Sequence, residues 1–278
     1  MRYFCSATMP PIAVLFALLA GFAPPAQSAE HAEDRTPLVD YVRPLVGTQG
    51  GGNTFPGPSA SFGAVQLSPD TDRQRCAGYT WYAPQDVPAL IRLMGGEDNF
   101  TRQLDALFEF DGGASRTNLE QGKIGEYWHG NEPGHHTIYL YCYAGRPWKA
   151  AECLQQVLKT QYGNQPDSLR GNDDCGQMSA WYIFTAMGLY PVCPASDCYV
   201  IGAPGVSKAV IHLSNGKIFT MTAENLSEAN LYVQSARLNG KDWNNPVLPC
   251  SQVERGGALS FVMGPKPSPW GTHPRIPE

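Results

Sequence analysis

The order of hydrophobic periods along the chain predicts an α+β fold, with short strands first, a block of helices next and a small sheet last. Residues 38–72 are short apolar pieces broken by glycine and proline. From Ala83 the apolar spacing becomes helical, and from about Tyr199 apolar runs alternate with glycine-bearing turns. Because helices and strands occupy separate blocks, a doubly wound sheet is not expected. No internal repeat or low-complexity linker interrupts this order.

Residues 1–29 have the layout of a cleaved secretory signal: basic Arg2, an apolar run from Ile12 to Phe22, then small Ala26, Ser28 and Ala29. The run is short for a membrane span, and Pro10, Pro11, Pro24 and Pro25 around it oppose a buried helix. No cysteine follows Leu19-Ala20-Gly21 to accept a lipid, so the expectation is a secreted or periplasmic protein without a membrane anchor. Losing Cys5 with the leader leaves seven of the eight cysteines, an odd number. Cys193 and Cys198 can close a short loop in an oxidising compartment or serve as small buried apolar residues.

Val87, Leu90, Ile91 and Met94 mark a first helix, stopped by Gly95-Gly96; Phe100, Leu104, Leu107 and Phe108 mark a second. Pro133 and Pro147 suit the first position of two more, which carry Tyr139 and Tyr143, then Leu154 and Leu158. A fifth follows Asp174, which with Gln177 fits the two ends of a capping box ahead of Trp181, Phe184 and Met187. Val210–Leu213, Ile218–Met221, Leu231–Val233 and Leu259–Val262 read as strands of a small antiparallel sheet, joined through Asn215-Gly216, Asn239-Gly240 and Gly256-Gly257 turns.

The 278 residues suit one large or two modest domains, and 42% hydrophobic with 16% charged residues is a globular balance. A formal charge of -5 argues against nucleic acid or an anionic membrane as partner. Several chemistries lack their motifs. There is no Gly-x-Ser-x-Gly elbow and no Cys-x-x-Cys pair, and the loop Gly50–Gly57 lacks the Gly-Lys-Ser/Thr ending of a phosphate cradle.

Two polar turns stand out against this background. Asn172-Asp173-Asp174 opens the helix beginning near Gln177, and Gly130-Asn131-Glu132-Pro133-Gly134-His135-His136 precedes another. By local rules Asp174 is a helix cap and Glu132 caps the helix begun by Pro133. Trp81 and Trp181 are core residues or platforms for a sugar ring. His135 and His136, about 100° apart on a helix, point in directions that disfavour chelation of one metal.

Taken together, the two turns resemble those of the calcium-dependent exo-α-mannosidases of glycoside hydrolase family 92. A third segment agrees: Val46-Gly47-Thr48, then Gly52-Asn53-Thr54-Phe55-Pro56-Gly57, then Phe62 to Thr71. The resemblance implies an N-terminal β-sandwich joined to an (α/α)6 barrel. Twelve helices of about 11 to 12 residues with their connections need on the order of 200 residues, so residues 79–190 suffice for about half a barrel. The implied layout is a sandwich remnant over 38–78, a partial barrel over 79–190 and a C-terminal antiparallel β segment over 191–278.

The resemblance also assigns roles. Asp174 matches the general base; Asn131, Glu132 and Asp174 match calcium ligands; Asn53, Thr54, Glu132, His135, His136, Asn172 and Asp173 match sugar-binding positions. Asn172 stands where the family often has aspartate. Family members carry a Glu-Gly-Asn segment, whose glutamate is the general acid, ahead of Tyr79-Thr80-Trp81-Tyr82; here Asp72 to Gly78 stands there instead, with Arg73 near the acid's place. The expectation is a shortened glycosidase of terminal α-mannose, α-1,2-linked and cleaved with inversion, that needs calcium and is inactive for want of its acid. The alternative is a non-catalytic remnant that binds carbohydrate.

Overall fold

A computed structural model describes residues 80–108, 122–194 and 196–276. The leader, the strands expected over 38–78, Asn53, Thr54 and the segment around Arg73 lie outside the described residues. What is described is a layer of helices followed by mixed sheets.

After a 3₁₀ turn at Pro84–Asp86 come α1 (Val87–Leu93) and α2 (Glu97–Phe108). The Asp86 carboxylate caps α1 through the amide of Ala89 at 2.9 Å. Gly95 and Gly96, at φ of 89° and 91°, turn the chain between the helices as their left-handed backbone allows. A short hairpin, β1 (Lys123–Ile124) and β2 (Tyr127–Trp128), leads to 3₁₀ turns at Glu132–Gly134 and Thr137–Tyr139 and to α3 (Leu140–Tyr143). Next come α4 (Pro147–Thr160), with its proline at the first turn, and α5 (Gln177–Met187), ended by left-handed Gly188. The helix expected from Pro133 is therefore mostly 3₁₀. The short reach from Glu132 to Tyr143 and its compact turns leave little room for regular α-helix.

β3 (Leu189–Tyr190), β4 (Cys198–Ile201), β5 (Lys208–His212), β6 (Ile218–Glu224), β7 (Tyr232–Leu238), β8 (Lys241–Asp242) and β9 (Val247–Pro249) follow. A short α6 (Cys250–Glu254) and β10 (Gly257–Gly264) complete the described elements. β3, β4 and β9 form an antiparallel sheet. The larger sheet runs β5-β6-β10-β7-β8, and its centre corrects the expectation of a purely antiparallel sheet. β10 lies antiparallel to β7 but parallel to β6, with Leu259 opposite Met221 and Phe261 opposite Ala223. Alternation fixes which side chains face the core and leaves open which neighbour a strand will take. The expected Asn239-Gly240 turn joins β7 to β8 with both residues left-handed, as a type I′ hairpin requires.

Two apolar cores result. One gathers α1, α2, α4 and the aromatics of 127–143 around fully buried Phe100, Leu104, Leu154 and Trp181. The other lies beneath the larger sheet, around Phe219, Leu259 and Phe261. Phe184 of α5 packs against both. Trp81 and Trp181, at 3% and 0% exposure, belong to the first core, which resolves the alternatives for both rings in favour of packing. On the outer side of α5, Tyr182 and Ile183 are 41% and 56% exposed. Cys193 and Cys198 are free thiols.

Candidate active site

The two polar turns are brought together by their glycines. Gly171 sits at φ of 83°, and a Cβ there would lie 3.0 Å from the Cα and 3.1 Å from the carbonyl oxygen of Gly130. Only glycine permits both that backbone conformation and that approach. Replacing it by alanine should cost about 1–2 kcal/mol from the left-handed backbone alone. Gly171→Ala should therefore lower the melting temperature and push the turns apart; an unchanged melt would show that the approach is dispensable.

Between these turns the carboxyls meet. Glu132 opens its 3₁₀ turn, where Asn131 holds the cap position without a side-chain capping bond. The Asp174 carboxyl lies beside that of Glu132. One oxygen, Oε1, is buried with no hydrogen-bond partner. Burial, the adjoining Asp174 carboxyl and the nearby charge of Asp173 push the Glu132 carboxyl up to about 8.

Asp174 is not the helix cap that its spacing suggests. It and Cys175 are held left-handed at φ of 45° and 59°, and left-handed Gly176 takes the cap position before α5. The capping carboxylate belongs to Asp173, whose Oδ1 accepts from the Ser179 amide at 2.9 Å and from the Ser179 hydroxyl at 2.8 Å. Asp173 is 4% exposed and faces inward. Asn172 is exposed and braces the turn by accepting the Asp174 amide at 3.3 Å. Thus Asp174 is freed toward Glu132 because its neighbour does the capping.

The histidines face inward. His135 is 1% exposed; its Nε2 lies 2.9 Å from the His129 carbonyl and its Nδ1 lies 3.2 Å from Gln177 Nε2. His136 points elsewhere, with Nε2 2.8 Å from the Trp81 carbonyl. His129 is fully buried between two phenols, Tyr127 at 2.9 Å on Nδ1 and Tyr162 at 2.7 Å on Nε2. Tyr162 donates to the Met178 carbonyl at 3.0 Å, so it accepts from His129 Nε2, and Tyr127 donates to Nδ1. Trp181 closes the cluster: its ring lies 4.3 Å from that of His129, stacks on Tyr162, and its indole donates to the His135 carbonyl at 3.0 Å.

The chain is similar to known proteins over most of its length. Residues 60–265 match the glycosyl hydrolase family 92 catalytic domain. The chain belongs to family 92. Two solved family 92 mannosidases of Bacteroides thetaiotaomicron are similar to it. One, an α-mannosidase solved with mannoimidazole, is 45% identical at a TM-score of 0.65 over 71% of this chain and 26% of its own. The other, described as inverting, is 35% identical at a TM-score of 0.63, over 71% of this chain and 28% of its own. A curated protein of Arthroderma benhamiae, named an uncharacterized secreted glycosidase, is 31% identical over 69% of this chain and 23% of its own. The chain spans about a quarter of the length of these relatives.

In this family 92 chain, the groups packed around His129 and His135 carry little local signal. Tyr162 and Tyr127 belong to no motif. The available signal was Gln177, a long amide at the start of an otherwise apolar helix, which capping rules absorb. Among the described residues no group of three or more His, Cys, Asp and Glu side chains is placed to hold a metal ion. Oxygen donors of Asn131, Glu132 and Asp174 suit a hard cation, and the unpartnered Oε1 is an unused donor among them.

The buried groups also set a pH optimum for stability. Burial holds His135 down to about 4 from a usual 6.5, and lowers His129 and His136 in the same direction. Unfolded histidines take up protons that the folded ones refuse, so their stabilisation is complete above 6.5 and is lost as pH falls toward 4. Glu132 works oppositely: its contribution is complete below 4.5 and lost as pH rises through about 8. Three histidines outweigh one carboxyl on the acid side. Thermal melts in chelator should peak near pH 6.5, and Glu132→Gln should flatten the fall from there to pH 8. A wild-type melt still rising at pH 8 contradicts this balance.

Proposed function

We propose that this chain is a shortened α-mannosidase of the inverting, calcium-assisted type, acting at terminal α-1,2-linked mannose of glycans outside the cell. The observation that carries the reading is the Glu132–Asp174 contact at the junction of two family-specific turns. We further place a sandwich remnant at 38–78, half of an (α/α)6 barrel at 79–190 and a β segment at 191–278. A relative named as a secreted glycosidase supports the compartment. No helix among the described residues is long and apolar enough to cross a membrane.

Inversion needs a base to draw a proton from water on one face of the sugar while an acid protonates the departing oxygen on the other, with the two carboxyls about 6.5–9.5 Å apart. Glu132 stands close enough to Asp174 for that carboxyl to raise its pKa, an adjacency unlike that of two carboxyls set apart across a sugar. They therefore act on one side of the sugar. Asp174 takes the proton of the attacking water, and Glu132, Asn172 and Asn131 hold hydroxyls, together with Asn53 and Thr54. His135 and His136, their rings turned to backbone carbonyls, shape the floor. Asn131, Glu132 and Asp174 would hold calcium, which when bound neutralises the carboxyls and orients sugar oxygens. They supply part of the six to eight oxygens the ion prefers, so its affinity should be weak.

The acid on the opposite face is missing from the segment ahead of Tyr79. That absence favours a second reading, a non-catalytic remnant that binds carbohydrate. Calorimetry with mannoimidazole tests what both share: weak binding that calcium strengthens and Asp174→Ala abolishes. No heat at millimolar ligand with calcium present would refute both.

A further inference from the structure

We infer that Gln177 is a positioning residue: through the ring of His135 it sets where Asp174 stands opposite Glu132. The inference rests on the mannosidase reading for its consequence and on hydrogen-bond geometry alone for its structure. Every polar group of His135 has a partner in or next to one of the two turns or in α5. Its amide donates to the Glu132 carbonyl at 3.0 Å, and its own carbonyl accepts from Trp181 of α5 at 3.0 Å. On the ring, Nε2 faces the His129 carbonyl at 2.9 Å and Nδ1 faces Gln177 Nε2 at 3.2 Å.

A carbonyl can only accept, so Nε2 carries the ring proton. Nδ1 is then a bare acceptor, and the Gln177 amide donates to it. Gln177 stands three residues after Asp174, and its backbone amide points back to the Asp174 carbonyl at 3.3 Å. Its side chain also reaches the Tyr190 hydroxyl, holding that phenol lower than burial alone would. One glutamine thus joins the base-bearing turn to the Glu132 turn and satisfies the bare nitrogen of the buried ring, whose tautomer the His129 carbonyl fixes. A side chain that accepts there cannot serve, because the unprotonated nitrogen would face a second acceptor.

The closing experiment has one arm that needs no turnover. Long-range proton–nitrogen spectra of the full chain at pH 7 should show His135 protonated at Nε2 only. Gln177→Leu should shift the Nδ1 resonance by removing its donor. Gln177→Glu should drive a proton onto Nδ1, because only an acceptor then faces it. In the second arm, hydrolysis of α-mannosyl fluoride should fall in both variants about 10²-fold in kcat, as an ångström of misplacement does, with KM little changed. A wild-type ring protonated at Nδ1, or a signature that neither variant moves, overturns the inference. Turnover unchanged in variants whose ring signature has moved overturns the positioning role. If wild type itself leaves the fluoride intact, the mannosidase reading fails and the ring signatures still decide whether Gln177 donates to His135 Nδ1. A Gln177→Leu chain that does not fold leaves Gln177→Glu, which keeps the polar contact to Tyr190, to decide.

Discussion

Methyl α-mannoside and plain mannobiose should survive long incubation with the purified chain and calcium, while α-mannosyl fluoride is consumed. The difference lies in the departing group. A sugar or alkoxide must be protonated as it leaves, and general acid assistance is typically worth about 10²–10⁴-fold. Fluoride and dinitrophenolate leave without a proton, so they need only the face on which Asp174 and Glu132 stand. Asp174→Asn should abolish the fluoride reaction, because an amide cannot take the proton of the attacking water. Calcium-dependent cleavage of mannobiose at an ordinary rate would mean that an acid is present after all. Fluoride left untouched would move the chain to the carbohydrate-binding reading.

The largest effect on folding should come from Trp181→Ala, with a loss of about 3–5 kcal/mol, the range for large aromatic truncations in a core. Trp181 is fully buried, sits edge-on to His129 and stacks on Tyr162 at 5.9 Å between centroids. Its removal also strips the donor from the buried His135 carbonyl, a desolvation cost that phenylalanine would incur as well. Chemical denaturation should therefore rank wild type, then Trp181→Phe, then Trp181→Ala. A Trp181→Phe chain as stable as wild type would show that the indole N–H contributes nothing beyond its ring.

Composition and spacing alone were enough for the α1, α2, α4 and α5 helices, the strands at 208–212, 218–224, 232–238 and 257–264, and the glycine turns between them. Each of those depends on residues within a few positions of one another: apolar period, a proline at a first turn, a left-handed glycine. The family resemblance likewise singled out Glu132 and Asp174, which the fold brings side by side. What tertiary structure decided was pairing. Alternation along β10 could not say that its neighbour on one side would be β6 in parallel. Capping rules made Asp174 the cap and left Asp173 aside, because Asx residues in succession offer the same local bond; the left-handed run from Asp174 to Gly176 reversed the two. Gln177 was legible only as a partner in that cap. Its reach to His135, 42 positions away, depends on the approach of Gly171 to Gly130, and no local preference encodes a contact between backbones that meet only when the chain is folded.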